Sequence, residues 1–409
     1  MLEKISQNIS GNVADKKLEK LTEKKPVIMQ VLPALYSGGV ERGVVDVSKA
    51  AAAYGFKSIV VSAGGPMIVQ FNGSLVLHII LPLDSKNPFS IYRNSKRLEK
   101  IIREHQVDLV HIRSRFPAWS AYIACKKTGC KMVSSVHGSY STNLFSKKIS
   151  RWKLKYNSIM LKPKFIIAVS EFIKNYIYQN YSEIENLSEK QIEVIHRGVD
   201  LSYFSNRKVP NSRVIQLVKE WNLPEDKQVI MLPARITGWK GHKFLISALA
   251  KVQNHNFFCV MVGSLKGHKK FAMELERMIK ENRLEGRIKI VGETKDMPAA
   301  YLVSDVVISS SIRPEAFGRV AIEAGAMGRI VIATNIGGSL ETVIDGKTGF
   351  LVEAENVNHL ARTIDQVLSM PKSQKEEICQ NAATHIAKNF SNQKMLDTTI
   401  AFYRRILSN

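Results

Sequence analysis

Thirteen short runs rich in Val and Ile alternate with helix-length segments along this chain, and no other feature limits its fold as tightly. In the first half the runs are PVIMQVLP, KSIVVSA, LVLHIILP, VDLVHIR, KMVSSVHG, KFIIAVS and IEVIHRG. In the second they are KQVIMLPA, FFCVMVG, RIKIVG, DVVISSS, RIVIAT and GFLVE. Their apolar residues are continuous rather than alternating, the mark of strands buried on both faces. Strand–helix alternation then requires parallel sheets with right-handed crossovers. Two such series in tandem, in a chain too long for one ordinary domain, predict two Rossmann-like α/β domains facing a central cleft. In open parallel sheets ligands bind at the carboxyl ends of strands, so functional residues are expected just after the runs.

The boundary between the halves is expected in the polar stretch Val199–Arg213, which holds Pro210. The predicted organisation is a polar extension over 1–25, an N-terminal domain over 26–205, a C-terminal domain over 206–390 and a final helical segment over 391–409. Two helices are expected near 371–388 and 392–407. The first 25 residues lack the apolar core of a signal peptide, and no run of eighteen apolar residues predicts a membrane-spanning helix. The four cysteines have neither CxxC nor zinc-ligand spacing. They read as buried thiols of a reducing compartment, the cytoplasm. The net charge of +23 is uneven, about +16 on residues 1–208 and +7 on the rest. It is densest between Lys86 and Lys164, and such a field draws anionic partners.

After the first run, Gly38-Gly39 leads into a helix whose free N–H groups suit a phosphate. A tight βα turn without ligand fits the same residues, and GxGxxG is absent. His137-Gly138 follows KMVSSV and either reaches towards a ligand or serves structure. After KQVIMLPA, Arg235 and Lys240 stand five residues apart on one loop, a fork and a point charge suited to a diphosphate, or simply a solvated loop. After DVVISSS comes RPEAFGRVAIEAGAMG, Arg313–Gly328. Pro314 disfavours helix before it. A helix is expected to begin near Phe317-Gly318, with Glu315 in the loop ahead of it and Glu323 about two turns in. An acid beside an anion-binding helix start can accept from sugar hydroxyls, and a second acid can hold the two hydroxyls of a ribose.

Together these segments resemble the retaining glycosyltransferases of family 4, which have the GT-B fold. The resemblance rests on SGGVER (Ser37–Arg42), VHG (Val136–Gly138), AVSEF (Ala168–Phe172), HRGVD (His196–Asp200), ARITGWKG (Ala234–Gly241), MVGS (Met261–Ser264), PEAFGRVAIEAGAMG (Pro314–Gly328) and NIGGSLETVIDGKTGFLV (Asn335–Val352). It implies that Arg235 and Lys240 neutralise the diphosphate of a nucleotide-sugar, helped by backbone N–H groups of Phe317, Gly318 and Arg319. Val320 would lie beside the nucleoside, Glu315 would hold the donor sugar and Glu323 the ribose. Gly38 and Gly39 would approach the donor, and His137 the transferring sugar or the acceptor. Catalytic roles thus fall to Glu315, Arg235, Lys240 and His137. The resemblance also implies an acceptor-binding N-terminal domain, a donor-binding C-terminal domain, and a last helix that crosses back. No cofactor or metal is expected, in keeping with the absence of a DxD motif.

The segment Leu144–Lys162 places Phe145, Ile149, Trp152, Tyr156 and Ile159 at helical spacing among cations. With Lys147, Lys148, Arg151, Trp152, Lys153 and Lys155 as contacts, it reads as a helix on an anionic bilayer, or as one packed on the sheet with a solvated basic face. The expected partners are a GDP-, UDP- or ADP-linked sugar, mannose being the first guess, a lipid A-core or other lipid-linked acceptor, and the inner membrane surface. A bacterial lipopolysaccharide-core transferase, cytoplasmic and peripheral to the membrane, is the favoured reading. The rivals are a GT-B nucleotide-sugar epimerase, which needs more acids and bases around the sugar, a basic protein that binds nucleic acid or membrane without catalysis, and an inactive sugar-binding scaffold. No nucleic-acid motif accompanies the charge, so nucleic acid is not an expected partner.

Overall fold

The computed structural model describes residues 25–36, 38–85, 87–139 and 153–409. All thirteen runs are strands. They are β1 (Val27–Val31), β2 (Lys57–Ser62), β3 (Val76–Ile80), β4 (Leu109–Ile112), β5 (Lys131–Val136), β6 (Phe165–Ala168), β7 (Gln191–Val194), β8 (Gln228–Pro233), β9 (Phe257–Val262), β10 (Ile288–Gly292), β11 (Val306–Ser309), β12 (Ile330–Thr334) and β13 (Phe350–Val352). They form a seven-stranded and a six-stranded parallel sheet. The described residues group into two compact units: the chain up to Ser134 with Phe402–Asn409, and Ser135–Ala401.

In the first unit the strand order is β3-β2-β1-β4-β5. The helix Gly39–Ala53 buries Val44, Val47, Ser48 and Ala51. That spacing makes one apolar face, and Gln30 of β1 ties it down, donating to Ser48 Oγ at 2.6 Å and to the Val44 carbonyl at 3.2 Å. The last helix, Asn392–Ser408, contributes its final turns to this unit. Lys131 Nζ caps them, donating to the carbonyls of Ile406 at 3.1 Å and Leu407 at 2.9 Å. These are the carbonyls a helix end leaves without partners.

The second unit holds the six-stranded sheet in the order β10-β9-β8-β11-β12-β13. Along each strand side chains alternate between two cores. Ile230, Leu232, Ile308 and Ile332 face one cluster, while Val229, Met231, Val307 and Val331 face the other. Burial on both faces explains why the sequence shows unbroken apolar runs. The order reverses between β8 and β11, so their carboxyl ends diverge and leave a crevice. The helices Lys372–Asn389 and Asn392–Ser408 lie within about a residue of expectation.

Of the expected membrane contacts, Lys147, Lys148, Arg151 and Trp152 lie outside the described residues, as does most of the 1–25 extension. Lys153 and Lys155 are exposed, within the helical residues 153–157. Ile159, assigned to the same apolar stripe, is buried at 1% exposure, so this end of the stripe packs inward. No helix among the described residues is long and apolar enough to cross a membrane.

His111 of β4 and Tyr403 of the last helix are both buried, with His111 Nδ1 2.5 Å from the Tyr403 hydroxyl. Tyr403→Phe removes that bond between two buried side chains. The expected cost is about 1–3 kcal/mol, read as a lower urea midpoint at unchanged slope.

Candidate active site

The crevice between β8 and β11 collects the second-half candidates. The loop after β8 is pinned by fully buried Ile236, which leaves Arg235 exposed. A single 3-10 turn, Gly238–Lys240, then reaches Gly241. There φ is +78°, and a Cβ would lie 1.8 Å from the Ser310 carbonyl oxygen. Only glycine meets both demands. Beyond β11, Ser310 Oγ donates to the Lys240 carbonyl at 3.2 Å, and Ile312 N donates to the Trp239 carbonyl at 2.9 Å. The two loops are thereby sewn together.

This stitching sets Lys240 against Glu315. Lys240 Nζ lies 2.7 Å from Glu315 Oε1, with side chains 12% and 15% exposed. Ser311 Oγ donates to the same oxygen at 2.5 Å, and the ammonium also lies 4.4 Å from the centre of the Trp239 ring. Glu315 is further held through its backbone, its carbonyl accepting from Gly338 N at 2.9 Å. Arg235, by contrast, makes no ion pair among the described residues.

The next helix runs Arg319–Ala326, one to two residues later than expected, because Gly318 takes φ +84° and ends the loop in the left-handed region. Its first turn has no side-chain cap, so those N–H groups stay open to an anion. Phe317 is buried at 3% exposure, and Val320 packs partly into the same core. Glu323 sits just over one turn in, rather than two. Its Oε1 accepts from Arg319 at 2.6 Å and its Oε2 from the Tyr301 hydroxyl at 3.0 Å.

The structure therefore brings together Lys240, Glu315, Phe317, Gly318, Arg319 and Glu323, with Arg235 on the same loop as Lys240. His137 directly follows β5 and is half-buried. Gly38 and Gly39 stand before and at the start of the Gly39–Ala53 helix in the other unit. Gly38 is extended, with φ 173°, so its conformation does not require glycine.

Comparison with known proteins gives the family and the fold. The model of Glycosyltransferase Family 4 matches residues 37–203, and that of Glycosyl transferases group 1 matches residues 215–385. A solved glycosyltransferase from Rickettsia africae is 40% identical, with a TM-score of 0.84 over 94% of this chain and 100% of that one. The chain belongs to the group 1, family 4 glycosyltransferases. YtcC of Bacillus subtilis, described as a glycosyltransferase, is 26% identical over 317 residues, 75% of each chain. Anabaena Alr3699/HepE, solved with UDP and glucose, has a TM-score of 0.78 at 22% identity over 93% of this chain and 100% of that one, a likeness of fold.

Three features of this glycosyltransferase escaped the sequence reading. Ser170 Oγ donates to the Ala316 carbonyl at 2.5 Å while capping Ile173 N at 3.1 Å. It thus anchors the loop between Glu315 and Phe317. His242, buried behind the Lys240 loop, has its pKa brought down to about 4. Burial is the chief cause, opposed by the Thr237 and Ala234 backbone and aided by the Lys240 charge. Its ring is thus neutral near pH 7. Glu341 accepts from Glu171 N at 2.9 Å, Phe172 N at 2.8 Å and His196 Nε2 at 2.8 Å. Burial pushes its pKa up, but the His196 bond, the two backbone N–H groups and the His196 charge prevail and hold it below its ordinary 4.5.

A carboxylate depressed in this way stabilises the fold above pH 4.5 and loses that contribution as pH falls through its lower folded value. Glu341→Gln should therefore lower stability at pH 7 and remove part of the acid-dependent loss below pH 4.5. Urea midpoints measured from pH 7 to pH 3 check this.

Proposed function

We propose that this glycosyltransferase moves a hexose from a nucleotide-sugar to a hydroxyl of a lipid-linked or lipopolysaccharide-core acceptor, with retention of configuration and without a metal. The observation that carries the donor reading is the Lys240–Glu315 pair beside the exposed Arg235 at the β8/β11 crevice. An entering diphosphate pairs with Arg235 and draws Lys240 from Glu315, which frees the carboxylate to accept from sugar hydroxyls. Backbone N–H groups at Phe317, Gly318 and Arg319 add to the field, with Val320 beside the nucleoside and Glu323 on the ribose. His137 contacts the transferring sugar or the acceptor, while Gly38 and Gly39 let the N-terminal backbone approach the donor.

The bond from the anomeric carbon to the β-phosphate oxygen breaks as the acceptor oxygen bonds to that carbon on the same face. The acceptor's proton passes to the departing phosphate, and the products are an α-glycoside and a nucleoside diphosphate. Fixed positive charge aimed at the leaving group lowers this barrier most. Mannose is the proposed sugar, so GDP-mannose is the first donor to try, with UDP- and ADP-sugars as its competitors.

A thermal-shift screen of UDP-, GDP-, ADP- and CMP-sugars, with and without EDTA, checks the donor reading. One nucleotide class should raise the melting temperature and survive EDTA, by about 2.7 kcal/mol of stabilisation at a hundredfold excess over Kd. Arg235→Ala should abolish the shift. Glu315→Ala should keep most of it yet lower turnover on the order of 10²-fold. No shift with any nucleotide-sugar, or turnover unchanged in Glu315→Ala, overturns the assignment.

The uneven charge of the first 208 residues supports an anionic, membrane-borne acceptor. The proposed location is the cytoplasmic face of the membrane, with Lys147, Lys148, Arg151, Trp152, Lys153 and Lys155 as contacts. Reversing Lys147, Lys148 and Arg151 to Glu should abolish sedimentation with phosphatidylglycerol vesicles at 0.1 M salt. Equal binding by the reversed protein refutes the membrane role.

A further inference from the structure

The helix Met297–Val303 carries a tyrosine that the reaction does not yet use. Tyr301 is fully buried in the core beneath the donor crevice, with the Phe204 ring 6.0 Å away. A phenylalanine would fill the same space. The hydroxyl has one acceptor, Glu323 Oε2 at 3.0 Å. Burial, and then the facing Glu323 charge, push the phenol well above its ordinary range, so it stays a donor at any working pH. The other oxygen, Oε1, accepts from Arg319 at 2.6 Å. One partner is buried and rigid, while the other is partly exposed, at 42%.

A carboxylate offers two lone pairs on each oxygen. Tyr301 occupies one on Oε2 and Arg319 one on Oε1, and one remains on each. Glu323 keeps 9% of its surface accessible, so these sites are not sealed off. Two acceptor sites on the two oxygens of one carboxylate match the two hydroxyl donors of a vicinal diol. We infer that Tyr301 and Arg319 are positioning residues, which clamp the Glu323 carboxylate so that each oxygen presents one free lone pair to the two hydroxyls of a ribose.

The inference rests on the reading that Glu323 meets the ribose of the donor. It makes ribose discrimination, rather than overall affinity, the property that Tyr301 controls. Without the phenol, the carboxylate turns towards Arg319 and the second acceptor site is misplaced.

Calorimetric titration of the full chain with UDP, GDP and ADP, each beside its 2′,3′-dideoxy counterpart, tests it. The native protein should bind the ribonucleotide on the order of 10²-fold tighter than its dideoxy form. Tyr301→Phe should reduce that ratio about tenfold, equal to about 1.4 kcal/mol, while the dideoxy affinity holds within about twofold. Glu323→Gln sets the floor of the ratio. A native-like ratio in folded Tyr301→Phe overturns the positioning role while leaving the ribose reading intact. A native protein that does not discriminate overturns the ribose reading and the inference with it, and no binding of any nucleotide overturns the donor site. If Tyr301→Phe does not fold, Arg319→Gln reads the same ratio from the other oxygen, with a reduced ratio expected and an unchanged ratio refuting.

Discussion

The close approach of the loops after β8 and β11 governs the rest of the crevice between these strands. At Gly241 the backbone lies against the Ser310 carbonyl, where any Cβ would fall at 1.8 Å. That contact lets Ser310 bond the Lys240 carbonyl and Ile312 bond the Trp239 carbonyl. With the loops so joined, Lys240 and Glu315, far apart in the chain, meet at 2.7 Å. A side chain at Gly241 would force the loops apart, and the charges at the crevice would no longer be in register.

The crevice pairs two of its cations with its two acids. Lys240 pairs with Glu315, and Arg319 with Glu323. A half-buried charge without a partner is costly, and these pairs avoid that cost before a ligand arrives. Arg235, exposed on the same loop, makes no ion pair among the described residues. Tyr301, bonded to Glu323, and neutral His242 are both fully buried.

Much of this was legible in the residues. Most strands announced themselves because burial on both faces demands unbroken apolar runs, whereas β3 carries such a run yet leaves Leu77 and Ile80 exposed; the paired helices at the C-terminus stood out by length. Arg235, Lys240, Glu315 and Glu323 could be found because each follows a strand's carboxyl end or opens a helix there. Ser170, His196 and Glu341 lie within quoted motifs, but what they bond was not legible, since their partners lie far off in sequence. Tyr301 was hidden for a related reason: one tyrosine in a short helix reads as core until its hydroxyl is seen to face Glu323. The stripe ending at Ile159 misled because helical spacing gives the width of an apolar face but not what covers it.

The sequence by itself determined the thirteen strands, their parallel arrangement in two sheets, the family, and the cations and acids carried by the loops. The strands and the loop charges follow from local rules, since apolar periodicity, glycine at strand ends and charge placement act within a few residues, while the family came from the resemblance of the quoted motifs. The tertiary structure alone decided which acid meets which cation, that Glu323 is clamped by Tyr301 and Arg319, and that Glu341 gathers two backbone N–H groups and His196. Those pairings depend on distances between loops that only the packed sheets establish, and a hydrogen bond exists only where that packing leaves its partners within about 3 Å.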